Sequence, residues 1–177
     1  MPCVVADTSP LFYLALLGRL SVLGKIYGTV AVPARVWSEA MAGARRNPSI
    51  LRQLETGIRE QWLVIQPTPV EQSQLDLSRL DAGEREAILL TRQLAAECLL
   101  IDEKRGRAAA KALGIQVKGT LTILAEAKQA GLLPSLTETF HILRTETTFR
   151  FSRKLEMEIL LSAGELQPPN DPETETR

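Results

Sequence analysis

Short apolar segments alternate with helix-like segments along this chain, and two of the apolar runs stop at an aspartate. Val4-Val5-Ala6 ends at Asp7, and Cys98-Leu99-Leu100-Ile101 ends at Asp102. Continuous apolar runs of this length suit strands buried on both faces, and their alternation with helices implies βα units in a parallel sheet. The pattern predicts strands at Cys3 to Ala6, Thr29 to Val32, Trp62 to Ile65, Cys98 to Ile101 and Ile115 to Val117. Helices are predicted from Pro10 behind a Ser9 cap, over Ser21 to Ile26, over Pro33 to Met41, and through a polar stretch to about Ile58. Others run over Asp81 to Ala95, Glu103 to Leu113, Leu121 to Ala130 and Ser152 to Ala163.

In an open parallel sheet, groups just past the carboxyl ends of the strands face the ligand crevice. Two carboxylates meeting there repel each other unless a cation lies between them. The strand-end aspartates therefore point to an acidic, metal-dependent site. Residue usage narrows the alternatives. The chain has 177 residues, enough for one domain with a real core, and a single histidine, His141, expected to pack at a core or rim position. Serine–histidine or cysteine–histidine catalysis would have to use that one residue, and a zinc site lacks ligands. No glycine-rich phosphate loop is present. Lysine plus arginine (21) equals aspartate plus glutamate (21), so no global charge draws the chain to nucleic acid or membrane. No signal segment or membrane span is read in the sequence. Cys3 and Cys98 fall in predicted buried strands and are expected as reduced thiols of a cytoplasmic protein. From about Gln167 the chain is rich in proline, glutamate and threonine and is expected to be disordered.

Each candidate acid has a plain structural role to set against a functional one. Asp7 could be a turn aspartate, but with Ser9 placed as the cap it is free for chemistry. Glu39 lies at the border of the Val36-Ala40-Gly43 face, where an ordinary solvated glutamate would also sit. Glu84 follows Asp81 by three residues, as in a capping box. Yet it also precedes Ala87 and Ile88 by three and four residues, on an inward stripe that continues through Thr91, Leu94 and Ala95. Glu86 is expected on the opposite, watery side. A carboxylate on a buried stripe needs a partner or a metal. Asp102 could cap the next helix or join Asp7 across adjacent strands, and its neighbour Glu103 is expected to face solvent.

Taken in order, these positions resemble a known family. The matching stretches are Asp7-Thr8-Ser9-Pro10-Leu11, Val32 through Glu39, and Gly83-Glu84-Arg85-Glu86-Ala87-Ile88. Leu100-Ile101-Asp102-Glu103 with Gly106-Arg107 follows, then Gly119-Thr120-Leu121, Ala127-Lys128, Gly131-Leu132 and Phe151 through Glu165. Together they resemble the PIN-domain nucleases, most nearly a VapC-like prokaryotic branch formerly catalogued as a domain of unknown function. The resemblance covers about residues 3 to 165. It implies an α/β, three-layer fold with a central parallel five-stranded sheet flanked by helices. It also implies that Asp7, Glu39, Glu84 and Asp102 bind Mg²⁺ or Mn²⁺ and cleave RNA, with Thr8 or Ser9 as hydroxyls steadying a carboxylate. Many such proteins are toxins silenced by a small antitoxin protein, and many form homodimers. Glu84 stands where many members carry aspartate, and Leu100 and Ile101 stand where a hydroxyl or amide often precedes the fourth acid.

Hard divalent cations prefer carboxylate oxygen, and they favour attack by water on a phosphodiester without a protein nucleophile. Phosphate-contacting candidates are Lys104, Arg105, Arg107 and Lys111 just past Asp102, together with Arg45 and Arg46 on a turn. A second basic group comprises Arg144, Arg150, Arg153 and Lys154. Two other readings fit the same sequence. One is a non-catalytic PIN-like RNA-binding or scaffold protein. The other is a receiver-type signalling domain built on Asp102 and Lys118, which leaves Glu39 and Glu84 without a role.

Overall fold

The computed structural model describes residues 3–69 and 77–166. The strands are β1 (Cys3–Ala6), β2 (Thr29–Pro33), β3 (Leu63–Gln66), β4 (Cys98–Leu100) and β5 (Val117–Lys118). They form one sheet in the order β3-β2-β1-β4-β5, every neighbouring pair parallel. The α/β class and the five parallel strands expected from the sequence are present. β1 lies at the centre with β2 and β4 on either side, and Val5 is registered with both Ala31 and Leu99. This is why its apolar run does not alternate with polar residues: Val4, Val5 and Ala6 are all buried. The tail expected to be disordered lies outside the described residues.

The first unit spans residues 1 to 123. Its helices are α1 (Thr8–Leu16), α2 (Val22–Tyr27), α3 (Ala34–Ala44), α4 (Pro48–Arg59), α5 (Ala82–Gln93) and α6 (Lys104–Ala112). One sheet face carries Val5, Ala31, Leu99 and Ile101, packed against Ala87, Ile88 and Leu90 of α5 and Ala110 of α6. Strand alternation turns Val4, Ala6, Val30 and Val32 the other way, and these are buried too. Helix α5 is buried more widely than its stripe suggests, because Leu89 and Leu90 join Ala87, Ile88 and Thr91. The stripe also stops early. Leu94 is exposed, and Ala95 has φ +47°, past the helix end. Glu86 does not reach open water as expected: it is half-buried, and its Oε2 finds no hydrogen-bond partner among the described residues.

Helix α1 starts earlier than its sequence suggests. Asp7 takes the cap position with extended backbone (ψ 170°), while Ser9 and Pro10 lie inside the first turn. Proline is tolerated there because the first N–H groups of a helix have no intrahelical acceptor. Trp62 is seated by two helical glycines, since a Cβ on Gly24 or Gly57 would meet its indole at 2.5 or 2.8 Å.

The second unit spans residues 124 to 177. The helix α7 (Thr120–Gln129) crosses the boundary, and α8 (Leu136–Glu146) and α9 (Arg153–Ser162) follow. Helix α8 is capped by Ser135, whose side chain accepts from Glu138 N–H. Its His141 is exposed rather than packed. Helix α9 buries Leu160 while Leu155 stays 42 % exposed. Arg144 pairs with Glu156 and lies 4.4 Å from the Phe151 ring centroid.

Glu165 closes this unit. Its carboxylate accepts from Leu136 N at 2.6 Å, Thr137 N at 2.8 Å and Thr137 Oγ1 at 2.8 Å, and it pairs with Lys128 Nζ at 2.9 Å. Desolvation works against the charge, but these donors prevail and hold the carboxyl at about 2. Among the described residues, no helix is long and apolar enough to cross a membrane.

Candidate active site

The carboxyl ends of β1 and β4 are tied together by the main chain, Asp7 N donating to Leu100 O at 2.9 Å. An open cleft of about 770 Å³ lies at this edge. Its walls come from the starts of three helices and from one residue of α3. Asp7, Thr8 and Ser9 enter from α1, Glu39 from α3, Asp81 and Glu84 from α5, and Glu103, Lys104 and Arg105 from α6. Arg79 and Leu80, just ahead of α5, complete it. The topology explains the gathering. Each of these helices follows a β-strand or a connecting segment that emerges on the same edge of a parallel sheet.

Asp7 is the most constrained of the acids, with 4 % of its surface exposed. Its side chain makes no capping hydrogen bond to α1. Burial pushes its carboxyl up to about 7; the Thr8 N–H opposes the shift, and the charges of Asp81, Glu84 and Glu39 reinforce it. Glu84 is also buried, at 6 % exposed, and its carboxyl is raised by that burial and by Asp81. It answers both readings of the sequence at once. The capping box is formed, with Glu84 N donating to Asp81 Oδ1 at 2.8 Å and Asp81 N to Glu84 Oε2 at 3.2 Å. The same carboxylate lines the cleft. A box of this kind uses one oxygen, so capping and site chemistry do not compete for the whole group.

Glu39 is more open. Thr8 Oγ1 donates to its Oε2 at 3.0 Å, and Arg35 Nε approaches its Oε1 at 3.8 Å. Gly83 makes room for it, because a Cβ there would stand 2.7 Å from Glu39 Oε2. A Cβ on Gly106 would meet Ile101 Cδ1 at 2.4 Å and Glu84 Oε1 at 3.2 Å, so that glycine makes room for both side chains. These glycines carry no side-chain chemistry and no positive φ, so the sequence marked them only as members of matching stretches. The Gly83→Ala variant separates the site from the fold. Gly83 is buried in the first turn of α5, where a glycine-to-alanine change favours the helix by at most about 1 kcal/mol. The clash falls on a mobile carboxylate end, so Gly83→Ala is expected to keep the melting temperature or raise it. Displacement of Glu39 is expected to lower activity several-fold, read by comparing thermal melts with cleavage rates.

Asp102 does not line this cleft. Thr120 holds it instead, with N donating to Oδ1 at 2.8 Å and Oγ1 to Oδ2 at 2.6 Å. Burial raises its carboxyl, opposed by those two Thr120 bonds and by Arg107. Gly119 admits this arrangement, since a Cβ would stand 3.0 Å from Asp102 Oδ1 and 2.8 Å from an Arg107 terminal nitrogen. So Asp7, Glu39 and Glu84 meet at one cleft, while Asp102 ties the end of β4 to the start of α7. Glu103, expected to face solvent, is exposed yet contributes to the cleft.

The basic candidates divide in the same way. Lys104 and Arg105 line the cleft. Arg107 instead donates to Ile101 O at 2.9 Å, bracing the end of β4. Arg45 and Arg46 are exposed on their turn and do not line the cleft. Ser9 lines it, and so does Arg79, which the sequence did not single out because it stands in an irregular segment with no periodicity.

Among the described residues, no three histidine, cysteine, aspartate or glutamate side chains lie close enough together to enclose a metal ion. The donors nevertheless suit a hard divalent cation in kind, being carboxylate oxygens with one of them, Asp7, buried among like charges.

Comparison with known proteins accords with this architecture. A family model described as a PIN domain matches residues 3–165. Among solved structures, a PilT N-terminus domain protein from the hyperthermophilic archaeon Sulfolobus solfataricus P2 is similar, with a TM-score of 0.53 and 19% identity. That match covers 71% of this chain and 92% of the other. A domain of a functionally unknown protein from Methanocaldococcus jannaschii DSM 2661 gives a TM-score of 0.44 at 20% identity, over 67% of this chain and 91% of its own. No curated protein matches. A parallel sheet in this strand order, acids gathered at its carboxyl edge and a family match along nearly the whole chain lead to one conclusion: the protein belongs to the PIN-domain family and has its nuclease-type fold.

Proposed function

We propose that the protein is a divalent-metal-dependent endoribonuclease, in biological terms the toxin of a toxin–antitoxin pair. The observation that carries the chemical part is Asp7, a carboxylate buried in a cleft with four other acids and no ion pair among the described residues. Such a group is costly unless protonated or matched by a cation. In this reading Asp7, Glu39 and Glu84 hold Mg²⁺ or Mn²⁺, and Asp81 and Glu103 add negative charge to the same cleft. When bound, the ion lowers the pKa of water and offsets charge developing on the phosphate.

The chain's own residues do the positioning. Thr8 Oγ1 fixes one oxygen of Glu39, and the α5 capping box fixes one oxygen of Glu84. Outside the cleft lining, Asp102 fastens Thr120 at the end of β4, and Arg107 holds the carbonyl of Ile101 there. The chain needs no histidine and no nucleophilic side chain for this reaction. The toxin role, the antitoxin partner and a homodimer rest on the resemblance of the sequence to the VapC-like branch.

Incubation of the protein with mixed RNAs is expected to give cleavage in Mn²⁺ and none in EDTA. RNA that is bound but left intact in Mn²⁺ would favour the non-catalytic reading.

A further inference from the structure

Arg79, Lys104 and Arg105 share the cleft with the carboxylates, and all three are exposed. Among the described residues, none of them makes an ion pair or a side-chain hydrogen bond. Arg105 is near enough to favour the ionised form of Glu84 without pairing with it. Cations placed only to neutralise this cleft would be expected to collapse onto its five acids.

Their positions also work against local stability. Lys104 and Arg105 occupy the first turn of α6, where Glu103 supplies no side-chain cap. Positive charge at a helix start opposes the helix dipole and is unfavourable there. A ligand carrying phosphates would relieve that cost, and it would use cations and carboxylates together if a divalent ion came with it.

We propose that Arg79, at the approach to α5, and Lys104 with Arg105, at the start of α6, hold successive phosphates of one RNA strand. The strand is thereby laid over Glu84, which α6 approaches closely at Gly106. The proposal builds on the nuclease reading but concerns binding alone. It makes Arg79 a substrate-positioning residue and sets it apart from Arg45, Arg46 and Arg107, which lie outside the cleft lining.

The test is binding of a short fluorescein-labelled single-stranded RNA to the full chain in EDTA, by anisotropy over a series of KCl concentrations. Each lost phosphate contact lowers the slope of log Kd against log salt by about 0.7 for a single strand. Arg79→Gln is expected to weaken binding several-fold at low salt and to reduce that slope by about one contact. Arg79→Lys is expected to restore most of the slope, and Arg45→Gln to leave both quantities unchanged. In Mn²⁺, Arg79→Gln is expected to raise KM more than it lowers kcat.

An unchanged slope for Arg79→Gln, or an equal loss for Arg45→Gln, would overturn the assignment. If the wild type fails to cleave RNA in Mn²⁺ while the Arg79 dependence in EDTA holds, the nuclease reading falls and this one stands. Cleavage with no Arg79 dependence is the reverse result.

Discussion

Asp7→Asn is expected to remove RNA cleavage, by about 10²-fold or more, the order lost when one preorganised electrostatic group is deleted from an active site. The same change is expected to stabilise the metal-free protein at alkaline pH. The direction follows from the carboxyl's position at about 7 in the folded chain against an ordinary 3.8. A raised folded value means that the native state keeps a proton the unfolded state has released. That contribution is fully present below about pH 4 and is lost as pH rises through about 7. At about 1.4 kcal/mol per unit, the loss is on the order of 4 kcal/mol. Glu84 and Asp102 are displaced in the same direction, so rising pH costs the wild type stability through several groups, and the Asn variant should lose less.

Urea unfolding at a series of pH values in EDTA measures this directly. Mn²⁺ should raise wild-type stability more at pH 8 than at pH 5.5, because proton and metal compete for the same oxygens. Identical pH profiles for wild type and Asp7→Asn would show that the Asp7 carboxyl does not hold its proton on folding.

Asp102→Ala is expected to destabilise the fold strongly. Thr120 is fully buried, and its N–H and hydroxyl both donate to this carboxylate. Leaving a buried donor unsatisfied costs about 1–3 kcal/mol, and hydrogen bonds to a charged acceptor lie toward the upper end. A loss of about 2–4 kcal/mol is expected, which for a chain of this size lowers the melting temperature by roughly 5–15 °C. Asp102→Asn should recover most of it. The amide oxygen still accepts from Thr120 N–H, and the threonine hydroxyl can rotate to accept from the amide nitrogen. Circular-dichroism melts of the two variants separate these cases. An alanine variant that melts within a degree of wild type would show that the Asp102–Thr120 link contributes little.

The strands were readable because both their faces are covered. Val4 to Ala6 and Cys98 to Leu100 need no amphipathic alternation, and a continuous apolar run is a local signal. Boundaries slipped where local signals conflicted. Ser9-Pro10 looks like a helix start, yet the turn begins at Thr8, because tertiary bonds place Asp7 at the strand end. β5 shortened to Val117–Lys118 because its pairing is set by β4, through Leu99 and Leu100. Helix α8 went unmarked although its cap and its buried Leu136, Phe140 and Leu143 follow helical spacing.

The linear sequence alone determined which residue types were available for chemistry and where strands would end, since composition and short-range apolar pattern are properties of neighbours along the chain. It could not decide which strand-end acid turns into the cleft. That choice depends on donors brought from far along the chain. Thr120 captures Asp102, Thr8 reaches Glu39, and two glycines of neighbouring helices leave space for Glu39 and Glu84. A carboxylate's direction is set by the nearest hydrogen-bond donor and the nearest steric gap, and both are supplied only when the chain has folded.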